Sequence, residues 1–173
     1  AEDNTTELTY SIFCTAAESG ERIGTVHISV EATTVGSGIL LSQDVDIYEG
    51  ETAAETVVRM LQNNGYSVDY TGNYETGFYL ARISSESNFV TGNIPEDLHG
   101  FEIYDFTPNS LGDYDFTKGS GWMYQVNGVY PNYGLSDYCF QNGDTLRLRF
   151  TLAYGADIGQ DMTGGSDNWG YEW

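Results

Sequence analysis

The chain has 173 residues, and its 26 carboxylates against six basic side chains give a formal net charge of −20. That length supports one good hydrophobic core and at most a small appendage. So strong a negative field repels phosphate backbones and anionic lipid surfaces, which excludes nucleic acid and membrane surfaces as partners. With 40% apolar residues and 14 tyrosines the composition is that of a folded protein, and no apolar run is long enough to span a bilayer as a helix.

The polar stretch Ala1–Glu7 reads as the start of an exported protein whose leader has been removed. The expected location is therefore extracellular, on the cell surface or secreted. Cys14 and Cys139 both lie in apolar, strand-like surroundings. They are either inert core thiols or a disulfide, and the even count in an extracellular setting favours the disulfide. Such a bond would close a long loop and contribute roughly 4–5 kcal/mol by restricting the unfolded chain.

Thr9–Thr15 and Gly24–Ala32 read as strands; in the second, Val26, Ile28 and Val30 alternate with His27, Ser29 and Glu31, which marks one buried face. Leu40–Tyr48 continues with a turn and then the alternation of Val45 and Ile47 with Asp44 and Asp46. A helix follows. Thr52 and Glu55 form a capping box, Gly65 stands at the C′ position, and Ala54, Val57, Val58 and Leu61 make one apolar stripe, with Arg59 directed to water. Ser67–Tyr70 and Phe78–Ile83 are expected strands around a turn at Gly72-Asn73.

Residues 84–118 break this rhythm with prolines, glycines, acids and many aromatics, and form an extended aromatic and acidic insertion. Within it Tyr104-Asp105-Phe106-Thr107 is echoed by Tyr114-Asp115-Phe116-Thr117, too short an echo for a repeat architecture. Trp122–Val126 is a strand, Asn127-Gly128 a type I′ hairpin turn, and Val129-Tyr130 the start of the return strand. Asn142-Gly143 opens the cleanest strand of all, in which Leu146, Leu148, Phe150 and Leu152 alternate with Arg147, Arg149 and Thr151. The expected organisation is one domain over residues 1–159 and an acidic, Gly-rich tail over 160–173. The expected fold class is α+β: a mainly antiparallel sheet with one helix on its face.

Catalytic signatures are lacking. There is no Gly-x-Ser-x-Gly elbow and no phosphate-cradling loop, and His27 and His99 have no ligand spacing. A carboxylate pair for glycoside hydrolysis could be drawn from the 26 available, but no pair stands out. The chain is thus expected to be no enzyme and to hold no metal. Asp157, Asp161 and Asp167 are oxygen ligands of the kind calcium takes, yet they do not match the EF-hand loop. Lys118 sits beside glycine-rich turn sequence, poor ground for a buried autocatalytic crosslink.

Several motifs occur in a recognisable order: the helix start Glu49–Leu61, then Gly77–Ile83 (GFYLARI), Gly121–Gly128 (GWMYQVNG) and Asn142–Phe150 (NGDTLRLRF). The series, over roughly Gly24–Gly159, resembles the transcobalamin C-terminal-like, or intrinsic-factor-like, domains of Gram-positive bacterial surface proteins and lipoproteins. The resemblance implies a β-grasp-like fold, a sheet curled around one helix. In the vertebrate carriers the related domain covers one face of cobalamin, while a helical-barrel domain holds the other. It thus implies cobalamin or another corrinoid as the ligand here, and a place in a larger surface protein.

By the same resemblance Trp122 matches the aromatic of the first hairpin strand, and Tyr124, Gln125 and the loop Tyr130–Gly134 lie where the corrin ring would rest. The ligand-binding set is Trp122, Tyr124, Gln125, Tyr130, Asn132 and Tyr133. Alternation places Trp122, Tyr124 and Val126 on one face and Met123 and Gln125 on the other. Trp122 shares a face with Val126, which favours the core for it; Tyr130 and Tyr133 are the better exposed candidates. The expected function is a non-catalytic extracellular binding module for a small molecule or a surface partner. The alternatives are a structural or adhesive spacer and a carbohydrate-binding module.

Overall fold

The computed structural model describes residues 20–96 and 105–160. The expected strand Thr9–Thr15, Cys14, His99, and the tail acids Asp161 and Asp167 lie outside the described residues. Within them the chain forms β1 (Arg22–Ala32), β2 (Gly38–Tyr48), α1 (Ala53–Asn63), β3 (Tyr66–Thr71), β4 (Tyr79–Ser85), β5 (Ser110–Gly112), β6 (Gly121–Val126) and β7 (Thr145–Thr151). Short 3₁₀ turns lie at Thr33–Val35, Leu135–Asp137 and Ala156–Ile158. The class is α+β, as expected. The strands form two sheets, though, a mixed sheet β2-β1-β7-β6 and an antiparallel sheet β3-β4-β5, where the resemblance implied one sheet curled around the helix.

The period-two pattern sets the core. Val26, Ile28 and Val30 of β1, Val45 and Ile47 of β2, and Leu146, Leu148 and Phe150 of β7 turn to one face and are buried there. Onto that face packs the apolar stripe of α1, in which Ala54, Val57, Val58 and Leu61 are joined by Ala53 and Met60. The helix begins at the expected capping box, with the Glu55 N–H donating to Thr52 Oγ1 and the Glu55 carboxylate accepting the Thr52 N–H at 2.8 Å. It ends at Asn64, and Gly65 takes the left-handed φ of 82° that releases the chain into β3. Leu80 and Ile83 of β4 and Leu111 of β5 close the same core from the second sheet.

The expected return strand of the hairpin is corrected. The Asn127-Gly128 turn forms with both residues at positive φ, 51° and 81°. Val129 makes only one bridge back to Val126, exchanging hydrogen bonds of 2.9 and 3.0 Å. The return strand ends there because Pro131 and the Leu135–Asp137 turn lead the chain away, and β7 takes its place beside β6 over Gly121–Val126. β7 in turn runs parallel to β1, a long-range pairing that no local turn signal announces.

Arg59, expected to face water, is largely buried. It forms a bidentate pair with Glu51 (2.8 and 2.9 Å), donates to the Asp46 carbonyl (2.7 Å), and lies 5.1 Å from the centre of the Tyr48 ring. Glu51, itself buried, draws the guanidinium inward.

The 105–118 stretch packs on the body, as its aromatics implied. The two phenylalanines of the echoed Tyr-Asp-Phe-Thr motif, Phe106 and Phe116, stack on each other with centroids 4.6 Å apart, and Phe116 is buried. Cys139 is an exposed free thiol. The expected Cys14–Cys139 disulfide therefore finds no support. Cys139 points outward from an extended segment, between the half-buried Tyr138 and the buried Phe140.

Candidate binding surface

The six residues expected to bind ligand separate into two groups. Trp122 is 6% exposed. It packs edge-on against Phe150, and its indole N–H donates to the Leu111 carbonyl at 2.9 Å, tying β6 to the second sheet. Gln125 is buried on the opposite face of β6, its amide oxygen 3.5 Å from Arg147 Nη1. Tyr130 turns inward, donating to the Ile158 carbonyl at 2.5 Å and accepting from Arg149 Nη1 at 3.0 Å. These three side chains hold the body together. Tyr124, Asn132 and Tyr133 remain at the surface, half-buried, exposed and exposed respectively.

Around Tyr133 the chain is rigidly built. Gly134 and Asp137 exchange hydrogen bonds (Asp137 N–H to Gly134 O, 3.0 Å; Gly134 N–H to Asp137 Oδ2, 3.2 Å), which closes the Leu135–Asp137 turn. Leu135 and Ser136 are buried under it, and Ser136 Oγ accepts the Phe78 N–H at 3.3 Å. Beyond the turn the Tyr138 carbonyl accepts the Ala53 N–H at 2.7 Å, at the start of α1. From below, the Tyr124 hydroxyl donates to the Tyr133 carbonyl. Tyr133 and Tyr138 stack with centroids 5.5 Å apart and planes inclined by 17°, and the Tyr133 ring leaves 42% of its residue surface exposed. Next to this turn Tyr70, Tyr74 and Phe78 form a second aromatic group, with centroid separations of 5.0–5.9 Å.

Burial and neighbouring groups raise two of these phenols, Tyr138 and Tyr124. Burial, then a hydrogen bond to Asp144 at 2.8 Å and that carboxylate's charge, push Tyr138 up to about 12. Burial, with the nearby Tyr133 and Asp137, drives Tyr124 higher still. Burial opposes the charge of Asp144, but hydrogen bonds from Asn127, the Gln141 N–H and Tyr138 outweigh it and hold its carboxyl below the ordinary value. The surface is thus uncharged aromatic faces rimmed by acids. It can stack a flat or ring-shaped ligand, neutral or cationic, and it offers no group poised for proton transfer. His27 sits elsewhere, on the β1–β2 ladder, 2.8 Å from Asp44 and 3.1 Å from Ser42. Among the described residues no three His, Cys, Asp or Glu side chains converge as a metal site. Asp157 is buried and spent on Thr151 Oγ1 and the Leu152 N–H.

Sequence reasoning missed an ionic cluster on the far face of the mixed sheet. Glu31 accepts two hydrogen bonds from Arg147, both 2.8 Å, and one from Ser29 at 2.6 Å, and lies 3.5 Å from Arg149 Nε. Arg149 is 1% exposed and also donates to the Ile158 carbonyl at 2.9 Å. Burial opposes the charge on Glu31, yet the bonds from Arg147 and Ser29 and the two guanidinium charges hold its carboxyl below the ordinary range. The arginines that alternate with the apolar residues of β7 carry the signal. The β1–β7 pairing sets Glu31 opposite Arg149, and Tyr130 and the Ile158 carbonyl lie against Arg149 on that face.

A third feature lies between β4 and β6. Arg82 forms a bidentate pair with Asp115 (2.6 and 3.1 Å), bracing a tight loop in which Tyr114 and Phe116 hold positive φ of 65° and 70°. The Tyr79 hydroxyl donates to Asp113 at 2.9 Å, and burial followed by that carboxylate raises Tyr79 to about 12. A Cβ on Gly121 would stand 3.0 Å from Asp113 Oδ1, so a side chain there would displace that carboxylate slightly.

Residues 109–151 match the family model described as Domain of unknown function (DUF4430). No curated protein matches the chain. Among solved structures, haptocorrin in complex with Cbi is similar at 14% identity and a TM-score of 0.44, over 75% of this chain and 25% of the haptocorrin chain. The chain thus spans about a quarter of the haptocorrin chain. A protein of Ruminococcus gnavus ATCC 29149, provisionally described as metal-binding, is similar at 14% identity and a TM-score of 0.39, over 76% of this chain and 99% of that one.

Proposed function

We propose that this chain is a non-catalytic extracellular binding module that takes a planar or macrocyclic ligand on the tyrosine surface of the β6–β7 connection, with cobalamin or another corrinoid as the candidate. The observation that carries this reading is the Tyr133–Tyr138 stack. It is an exposed aromatic face whose backbone is fixed from beneath by Tyr124, by the Gly134–Asp137 turn and by the first residue of α1. A rigid aromatic loses little conformational freedom on binding, so stacking energy is retained as affinity. The ligand class comes from the resemblance of the Gly121–Gly128 and Asn142–Phe150 motifs to the transcobalamin C-terminal-like domains. Tyr124, Asn132 and Tyr133 are the contact residues in this reading, while Trp122, Gln125 and Tyr130 support them from within.

The test is titration with cobalamin, following the corrin visible bands and the tryptophan emission, for the natural chain and for Tyr133→Ala. The reading expects saturable changes that Tyr133→Ala weakens by about tenfold, the scale of one lost base-like stack. No spectral change at submillimolar ligand removes the corrinoid; a glycan that saturates the same tyrosines would then support the carbohydrate-binding alternative, and silence from both the spacer.

A further inference from the structure

The strand order β2-β1-β7-β6 leaves β2 at the margin of the mixed sheet, paired only with β1 among the described residues. Its side-to-side polarity can be read from its neighbour. The His27 N–H donates to the Asp144 carbonyl and the Thr25 carbonyl accepts the Gly143 N–H, so odd-numbered residues of β1 direct their peptide groups toward β7. Even-numbered residues must then bond β2, through Val26–Val45, Ile28–Gln43 and Val30–Leu41. On β2 the intervening residues Ser42, Asp44 and Asp46 therefore hold N–H and C=O outward. The Asp46 carbonyl confirms the parity, because it accepts Arg59 Nη2 from outside the ladder at 2.7 Å.

That contact also defines the open stretch. Arg59, fixed by its bidentate pair with Glu51, plugs the edge at Asp46. A register shift between Val30 and Glu31 distorts the other end, near Ile39. Between the two, Leu40–Asp44 carries no proline or lysine and forms no outward backbone bond among the described residues. Exposed strand edges of this kind template a further strand unless they are blunted. On the core face the incoming strand would lie beside Leu41 and Gln43, both half-buried. On the other face it would meet Ser42 and Asp44, whose side chain is 75% exposed.

We propose that the outer edge of β2 over Leu40–Asp44 accepts an extended basic segment of a partner protein as a fifth strand of the mixed sheet. The chemistry selects the occupant. Main-chain bonds to Ser42 and Asp44 supply affinity, an apolar residue covers Leu41, and cationic side chains answer Asp44 and the net charge of −20. A second copy of the chain brings the same negative charge to the edge and is repelled.

The experiment uses the full chain and a synthetic peptide of alternating lysine and valine, with a glutamate–valine peptide and a lysine–valine peptide N-methylated along both edges as comparisons. Backbone amide exchange is read residue by residue. The lysine peptide is expected to slow exchange at Ser42 and Asp44, to bind about tenfold or more better than the glutamate peptide, and to weaken with added salt. N-methylation of the peptide along both edges, and the Ser42→Pro variant, should each abolish binding. Ser42→Pro removes an outward N–H and the exposed 3.1 Å contact of Ser42 Oγ with His27 Nε2, and leaves the β1–β2 ladder bonds in place, so its thermal transition should stay within a few degrees of that of the natural chain. Protection at other amides, equal binding of the acidic peptide, or retained binding by a well-folded Ser42→Pro would overturn the proposal. So would amides of Ser42 and Asp44 already protected without peptide, whether in a concentration-dependent way, which assigns the edge to a second copy, or independently of concentration, which assigns it to the chain's own remaining residues.

Discussion

Replacing Glu31 by glutamine removes one charge from a cluster whose other members cannot all reach water. Arg147 is 40% exposed at its side chain and can turn outward. Arg149, at 1%, cannot; among the described residues it also donates to the Tyr130 hydroxyl and the Ile158 carbonyl, both of them neutral acceptors. Removing one member of a buried ion pair typically costs about 3–5 kcal/mol; with the glutamine amide still able to accept a bond, about 3 kcal/mol is expected. Urea unfolding at neutral pH measures this as a lower midpoint at unchanged slope. Acid gives a second handle. The folded-state pKa of Glu31 is lowered, so its contribution is present above its ordinary value of 4.5 and is lost as pH falls through that value and below. The gap between the natural chain and Glu31→Gln should therefore narrow in acid. A gap under about 1 kcal/mol at neutral pH, or one of constant size across the acid range, would refute the assignment of Glu31 as the counter-ion of Arg149.

Thr52→Ala removes the side-chain half of the capping box and a hydrogen bond of 2.9 Å to the Tyr74 carbonyl; a loss of about 1 kcal/mol by thermal or urea unfolding is expected. Ile28→Ala, at a residue with no exposed surface in the centre of the mixed sheet, should cost about 3–4 kcal/mol in the same assay. In alkali, phenolate absorbance should show Tyr79 and Tyr138 ionising near 12 rather than at the ordinary 10.0, with stability falling as pH rises through that interval. Asp144→Asn should return Tyr138 only part of the way, because burial is its larger cause.

Local chemistry made much of this fold readable. The capping box at Thr52 and Glu55, the glycine at 65, the Asn127-Gly128 turn and the alternation of β7 are each set by a few adjacent residues, and each occurs where expected. What escaped depends on pairing between distant segments. The partner of β6 is β7 rather than Val129-Tyr130, and the partner of β7 is β1, which sets Glu31 opposite Arg149 on a face that alternation alone would assign to solvent. The same limit divides the binding set. Tyr133 sits in a turn whose residues declare themselves, whereas the inward direction of Tyr130 follows from Arg149 and the Ile158 carbonyl, both far along the chain.

The central claim, that the Tyr133–Tyr138 surface is the binding face, is tested most directly by mapping backbone and tyrosine-ring resonances while cobalamin is added to the full chain. The account predicts saturable shifts concentrated at Tyr124, Asn132, Tyr133 and Tyr138, with Trp122, Gln125 and Glu31 little moved. Shifts centred on another surface, or none up to millimolar ligand, would contradict it.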